Sequence, residues 1–121
     1  MILTNRDRKR LEGVDRRLVR VVEKAAELSD IQFTVSEGLR SYERQKMLVE
    51  LGRSKTMQSK HLEGKAVDLY PLTDDRKMIN SGGYDRLART MKKAAFELFV
   101  EIEWGGDWTK FVDKPHYQLK D

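Results

Sequence analysis

The stretch Ser59-Lys60-His61-Leu62-Glu63-Gly64-Lys65-Ala66-Val67-Asp68-Leu69-Tyr70 constrains this chain more than any other. It carries one of only two histidines and sets an aspartate inside an apolar run, Ala66-Val67-Asp68-Leu69. A carboxylate on such a run is costly to bury unless it is paired, hydrogen-bonded or bound to a metal. Gly64 permits a turn that lets His61 and Asp68, seven positions apart, meet at one point, and small Ala66 leaves room beside them. The second histidine, His116, lies far downstream in Val112-Asp113-Lys114-Pro115-His116-Tyr117-Gln118-Leu119. We take His61, Asp68 and His116 as candidate ligands of one catalytic zinc ion, because such sites use imidazole and carboxylate and keep a fourth position open. The bland alternative is a surface His61 and an Asp68 paired with one of the many basic residues. Asp113, three positions before His116, is the candidate acid/base beside the metal, or merely the start of a turn ahead of Pro115.

Cysteine is absent, so disulfides and thiolate metal sites are excluded and any metal must be held by histidine and carboxylate. The 121 residues suit one domain, 1–121, with no separate second domain expected. The net charge of +4 comes from 24 basic residues interleaved with 20 acidic ones, which describes a solvated mixed-sign surface better than a nucleic-acid face. Basic residues also do not alternate with aromatics as in single-strand binders, so no nucleic-acid partner is expected. No apolar run approaches the ~20 residues of a membrane span, and the charged start lacks the apolar core of a signal peptide. We therefore expect a monomer made in the cytoplasm, without membrane insertion.

Along the chain, Asn5 can cap a short helix to about Leu11, and Asp15 a longer one to about Ser29 with Leu18, Val21, Val22, Ala25, Ala26 and Leu28 on one stripe. Ile31 to Ser36 alternates as a strand, and Ser41 can cap a helix carrying Gln45, Met47, Leu48 and Leu51. Gly52 to Gln58 reads as a polar loop over the site. A strand from about Lys65 to Tyr70 is closed by Pro71, and Thr73 to Gly83 is a polar excursion. Tyr84 to Phe99 is the best helix, with Leu87, Met91, Ala94, Ala95, Leu98 and Phe99 spaced for burial. Val100 to Trp104 and His116 to Leu119 complete the strands. The irregular connections point to an α+β domain: helices packed on a small antiparallel sheet, with the zinc site on one rim.

The ordered set Ser59-x-His61-x-x-Gly64-x-Ala66-x-Asp68 and Asp113-x-x-His116 resembles the zinc peptidoglycan peptidases, which include D-alanyl-D-alanine carboxypeptidases and dipeptidases and the phage L-alanyl-D-glutamate endopeptidases. Gly38-Leu39-Arg40-Ser41 with Gln45 is similar to a further family segment, and Trp104-Gly105-Gly106-Asp107-Trp108 resembles the endolysin-like branch. The resemblance implies that His61, Asp68 and His116 hold Zn2+, one per chain. Asp113 stands at the catalytic acid/base position, where many relatives have Glu. Arg40 matches a residue that steadies the carbonyl oxygen as it gains charge, with an ion pair to Glu37 or Glu43 as the alternative. Ser59, Gln45 and Asp107 are candidate substrate-binding groups, Ser59 alternatively holding the ligand loop and Gln45 lying behind the reacting groups. Glu101 and Glu103 compete for the base role, and Trp104 and Trp108 could floor a cleft or sit at the core edge. The implied activity is hydrolysis of a peptide-stem bond of bacterial peptidoglycan. An L-alanyl-D-glutamate endopeptidase acting as a phage endolysin, released from the host cytoplasm to the wall, is favoured. A D-alanyl-D-alanine carboxypeptidase or dipeptidase is the enzymatic alternative, and a zinc-stabilised binding module the non-enzymatic one.

Overall fold

A computed structural model describes residues 1–54, 57–79 and 82–121. Lys55 and Thr56 of the expected polar loop, and Asn80 and Ser81 of the expected excursion, lie outside the described residues. The elements are α1 (Asn5–Arg10), α2 (Arg16–Leu28), β1 (Gln32–Glu37), α3 (Tyr42–Glu50), a 3-10 turn Lys60–Glu63, β2 (Ala66–Leu72), α4 (Gly83–Glu97), β3 (Ile102–Trp104), a 3-10 turn Gly105–Asp107 and β4 (His116–Leu119). The four strands form one antiparallel sheet in the order β1-β2-β4-β3. The expected α+β class and antiparallel sheet are thus the observed ones.

Strand alternation divides this sheet into two faces. Phe33, Val35, Val67, Leu69, Tyr117 and Leu119 are fully buried on the face covered by α2 and α4. Those helices contribute Leu18, Val21, Val22, Ala25 and Ala26 from one and Leu87, Ala88, Met91, Ala94 and Ala95 from the other. Asp15 caps α2 by accepting from the Arg17 amide at 2.9 Å, as its position suggests. The alternate positions Asp68, His116, Gln118 and Glu103 occupy the opposite face. A bulge between Val35 and Glu37 puts Glu37, not Ser36, opposite Asp68. Without that extra residue Glu37 would share the core face with Phe33 and Val35.

Three local expectations are corrected. Thr4, not Asn5, caps α1, in a reciprocal capping box with Asp7. Pro71 does not close β2, which runs on to Leu72 with Pro71 opposite Phe33. The Leu69 amide points toward β4 and donates to the Pro115 carbonyl at 2.9 Å. Two residues on, Pro71 presents its missing amide to that same side beyond the reach of β4, where its carbonyl accepts from the Ile79 amide at 3.3 Å, so no bond to β4 is lost. Phe99 is 96% exposed rather than buried. It adopts φ 58° just past the end of α4, where the Val100 amide returns to the Ala95 carbonyl, and this turn throws the ring outward. On α3, Met47 and Leu51 are exposed, and the one buried residue is Gln45.

Asp7 is the structural residue that periodicity passes over. It is 0% exposed and accepts from the Thr4 amide at 3.0 Å, the Val35 amide at 2.9 Å and the Thr34 hydroxyl at 2.7 Å. Burial pushes its carboxyl upward, but the bonds from Thr34, Val35 and Thr4 outweigh that and hold it below the ordinary range. Asp7→Asn replaces one acceptor oxygen with a donor facing a donor, and unfolding in urea should show a loss of roughly 1.5–3 kcal/mol. The sign of the pH effect follows from the lowered carboxyl. The stabilisation is complete above the unfolded-state value of about 3.9 and disappears as pH falls through the lower folded-state value, so wild type and Asp7→Asn should converge in acid. Tyr117 gives the opposite case: its hydroxyl is buried with no hydrogen-bond partner among the described residues. Tyr117→Phe should leave stability unchanged or raise it by up to about 1 kcal/mol, read as a rise in Tm.

Candidate metal centre and cleft

The site lies on the sheet face away from α2 and α4. His61 is in the 3-10 turn before β2, Asp68 is within β2, and His116 opens β4 directly opposite Asp68. Ser59 caps that turn, its hydroxyl accepting from the His61 amide at 3.2 Å, and Gly64 ends it at φ 70°. A side chain at Gly64 would strike the Gly13 carbonyl at 2.5 Å, so both backbone angle and space demand glycine. His61 Nε2 and His116 Nδ1 each stand 3.2 Å from Asp68 Oδ1, and the three ligand atoms lie within 4.8 Å of one another.

The ring tautomers are set from behind. His61 Nδ1 is 2.8 Å from the Gly38 carbonyl, which can only accept, so Nδ1 carries the proton and Nε2 offers a lone pair to the cluster. Gln118 donates its amide to Glu103 at 2.8 Å, so its Oε1 faces His116 Nε2 at 2.8 Å and must accept from it. That leaves His116 Nδ1 as the lone pair turned toward Asp68. Three acceptor atoms facing one another require either extra protons on the rings or a cation among them. Two imidazole nitrogens and a carboxylate oxygen, each backed by a second hydrogen bond, match the donor set of a three-ligand zinc site. Burial pushes the Asp68 carboxyl upward, but the bonds from His116 and His61 and their charge hold it far below the usual carboxylate range. Burial lowers the His116 ring, and the bonds to Asp68 and Gln118 with the charges of Asp68 and Asp113 raise it overall.

Arg40 is buried beside the cluster. It forms a two-pronged pair with Glu37 at 2.9 and 2.8 Å and donates to Gln45 Oε1 at 2.6 Å. Its Nη2 lies 3.8 Å from Asp68 Oδ2. The ion-pair alternative raised for Arg40 is therefore realised with Glu37, and three of the five guanidinium donors are used. Gln45 is 0% exposed and donates onward to Ser54 at 2.8 Å. It supports Arg40 from behind, between that guanidinium and Ser54. Asp107 pairs with Lys92 at 2.7 Å and is not among the described residues that line the cleft. Glu103 is committed to Gln118, and Glu101 is exposed and does not line the cleft.

A cleft of about 750 Å³ opens over the cluster. Ser59, His61, Asp68, Asp113 and His116 all line it. Trp108 lines it as well, its ring 5.3 Å from that of His116, whereas Trp104 is buried and stacks on Tyr117 at 6.5 Å. The Trp104 indole donates to the Lys114 carbonyl at 2.7 Å, and the Asp113 amide donates to the Gly105 carbonyl at 3.0 Å, so the glycine turn fixes the backbone that carries Asp113. A side chain on Gly105 would run into the Asp113 carbonyl. Partial burial and then the Asp68 charge hold the Asp113 carboxyl above its ordinary value. Sequence reading named Glu37 only as a possible partner of Arg40 and Glu103 only as a competing base, and it passed over Gln118. The alternation of Glu103 with Ile102 and Trp104 was visible, but its partner on β4 depends on register.

The family model of the phage L-alanyl-D-glutamate peptidase matches residues 1–119. The chain is 38% identical over 94 residues to the L-alanyl-D-glutamate peptidase of Listeria phage A118, covering 78% of this chain and 32% of that protein. It is 32% identical over 110 residues to the peptidoglycan L-alanyl-D-glutamate endopeptidase CwlK of Bacillus subtilis (strain 168), covering 78% and 65%. The chain thus spans about a third and just under two thirds of the length of these two curated relatives. Its fold is similar to the crystal structure of the L-Ala D-Glu endopeptidase ChiX of Serratia marcescens, with a TM-score of 0.87 at 39% identity over 97% of this chain and 88% of that one. With a family match over nearly its whole length, the chain belongs to the phage L-alanyl-D-glutamate peptidases.

Proposed function

We propose that the protein is a zinc-dependent endopeptidase that hydrolyses the L-alanyl-D-glutamate bond of the peptidoglycan stem, made in a bacterial host and acting on its wall after release. The observation that carries this is the convergence of His61, Asp68 and His116 in a cleft lined by Asp113, in a chain whose relatives are named for that bond. His61 Nε2, His116 Nδ1 and Asp68 would hold the ion. When bound, zinc supplies Lewis acidity to the scissile carbonyl and to the attacking water.

The chain's own groups do the rest. Asp113 takes the proton of the attacking water and returns it to the departing D-glutamate nitrogen; a carboxyl held above its ordinary range is suited to carrying a proton in both directions. Arg40 has two N–H groups left after Glu37 and Gln45 are served, and it donates them to the carbonyl oxygen as charge develops there. Its pairing with Glu37 fixes the guanidinium in place, so little reorganisation accompanies the reaction. Ser59 steadies the ligand turn and adds a hydroxyl to the cleft wall.

Digestion of purified cell walls followed by mass spectrometry should reveal new amino termini on D-glutamate; release of free D-alanine instead would reject the assigned bond. Asp113→Ala should keep its zinc and its Tm and lose at least about a hundredfold in turnover, the lower range for a general acid/base. Gln118→Ala, which removes the partner of the His116 N–H, should weaken zinc binding by roughly 10- to 100-fold in a competition titration against a chromophoric chelator.

A further inference from the structure

Among the described residues the cleft is lined by four cations, Arg40, Arg53, Lys60 and Lys110, and three carboxylates, Glu37, Asp68 and Asp113. Arg40 is neutralised by Glu37. Lys60 is drawn to the sheet end, where its ammonium donates to the Leu119 carbonyl at 2.6 Å. Arg53 and Lys110 remain, and among the described residues neither has an acidic partner. Two uncompensated cations in a cleft await an anion.

The stem peptide supplies one beside the bond to be cut. The chain continues from D-glutamate through its γ-carboxyl, so the α-carboxylate of that residue stays free, next to the nitrogen released by cleavage. Of the two cations, Arg53 is the better suited to it. A guanidinium meets a carboxylate through two parallel N–H bonds, which a lysine ammonium cannot do. Arg53 also sits on a fixed backbone. Its amide donates to the Leu48 carbonyl at 2.8 Å and closes the end of α3, following Gly52 at φ 72°. The next residue, Ser54, accepts from Gln45, which in turn accepts from Arg40. The end of α3 that carries Arg53 is thereby tied through the Ser54 and Gln45 side chains to the guanidinium at the reacting centre.

We propose that Arg53 reads the α-carboxylate of the D-glutamate residue and so selects stems carrying the free acid over stems in which it is amidated. The inference rests on the bond assignment made above. It is tested with two synthetic peptides, L-Ala-γ-D-Glu-L-Lys and its D-isoglutamine counterpart, the acid and the amide. Wild type should favour the acid in kcat/KM by roughly 10- to 100-fold, the range of a charge-assisted hydrogen bond. In Arg53→Gln that preference should collapse toward unity, with the Tm unchanged because the side chain is exposed. A structural role would slow both peptides alike and keep the ratio. A wild type without preference, an Arg53→Gln that keeps it, or a Lys110→Gln that abolishes it in place of Arg53 would each overturn the assignment. Calorimetric titration of the product dipeptides γ-D-Glu-L-Lys and γ-D-isoglutaminyl-L-Lys separates the two levels. If wild type cuts neither peptide, the bond assignment fails. If it cuts them but Arg53→Gln does not lose affinity for the acid product, the Arg53 assignment fails alone.

Discussion

The register of β4 on β2 is the constraint on which everything else depends. Asp68 faces His116 across the strands, while their neighbours Val67 and Tyr117 face each other on the other side of the sheet. Because side chains alternate, a slip of one residue would turn His116 into the apolar core and Tyr117 into the cleft. Packing fixes the register more firmly than the ligands do. Tyr117 is fully buried and stacked on Trp104, and the cost of exposing those rings holds His116 in place before any ion is considered. The chemistry on one face is thus positioned by hydrophobic burial on the other.

Behind both histidines and Arg40 stands a second polar group. Gly38 orients His61, Gln118 and Glu103 orient His116, and Glu37 with Gln45 orients Arg40. These supports matter because neutral imidazole can bind a metal through either nitrogen, and the backing bond decides which. The bulge in β1 belongs to the same scheme. By shifting Glu37 to the open face it supplies the counter-charge that makes a buried Arg40 tolerable.

The ligand set was legible because its residue types are scarce: two histidines and one aspartate on an apolar strand leave few combinations. The helices were legible from periodicity and their caps, Asp15 and Ser41 among them. The supports were not. Gln45 sits on a helix none of whose apolar residues is buried, so no pattern marked it as buried, and its task depends on where Arg40 lies. Glu103 and Gln118 become partners only through the pairing of β3 with β4. Asp7 was hidden for the same reason, since the amide it receives from Val35 comes from a strand 28 positions away. Pro71 and Phe99 misled because local rules speak of a residue's own backbone. The outcome turned on what stood beside it: an absent β4 for one and open solvent for the other.

Gly13 and Gly64 touch backbone to backbone, and the Gly64 carbonyl accepts from the Asp15 amide at 2.7 Å. Gly38, whose carbonyl holds His61, presses against the Arg10 carbonyl just as tightly. The corner between α1 and α2 is therefore the anvil against which the histidine turn is held, although none of its residues lines the cleft. Transplanting the two histidines and the aspartate onto another antiparallel sheet would carry over the donors without their mounting. A working graft would have to bring the amino-terminal helical corner with it.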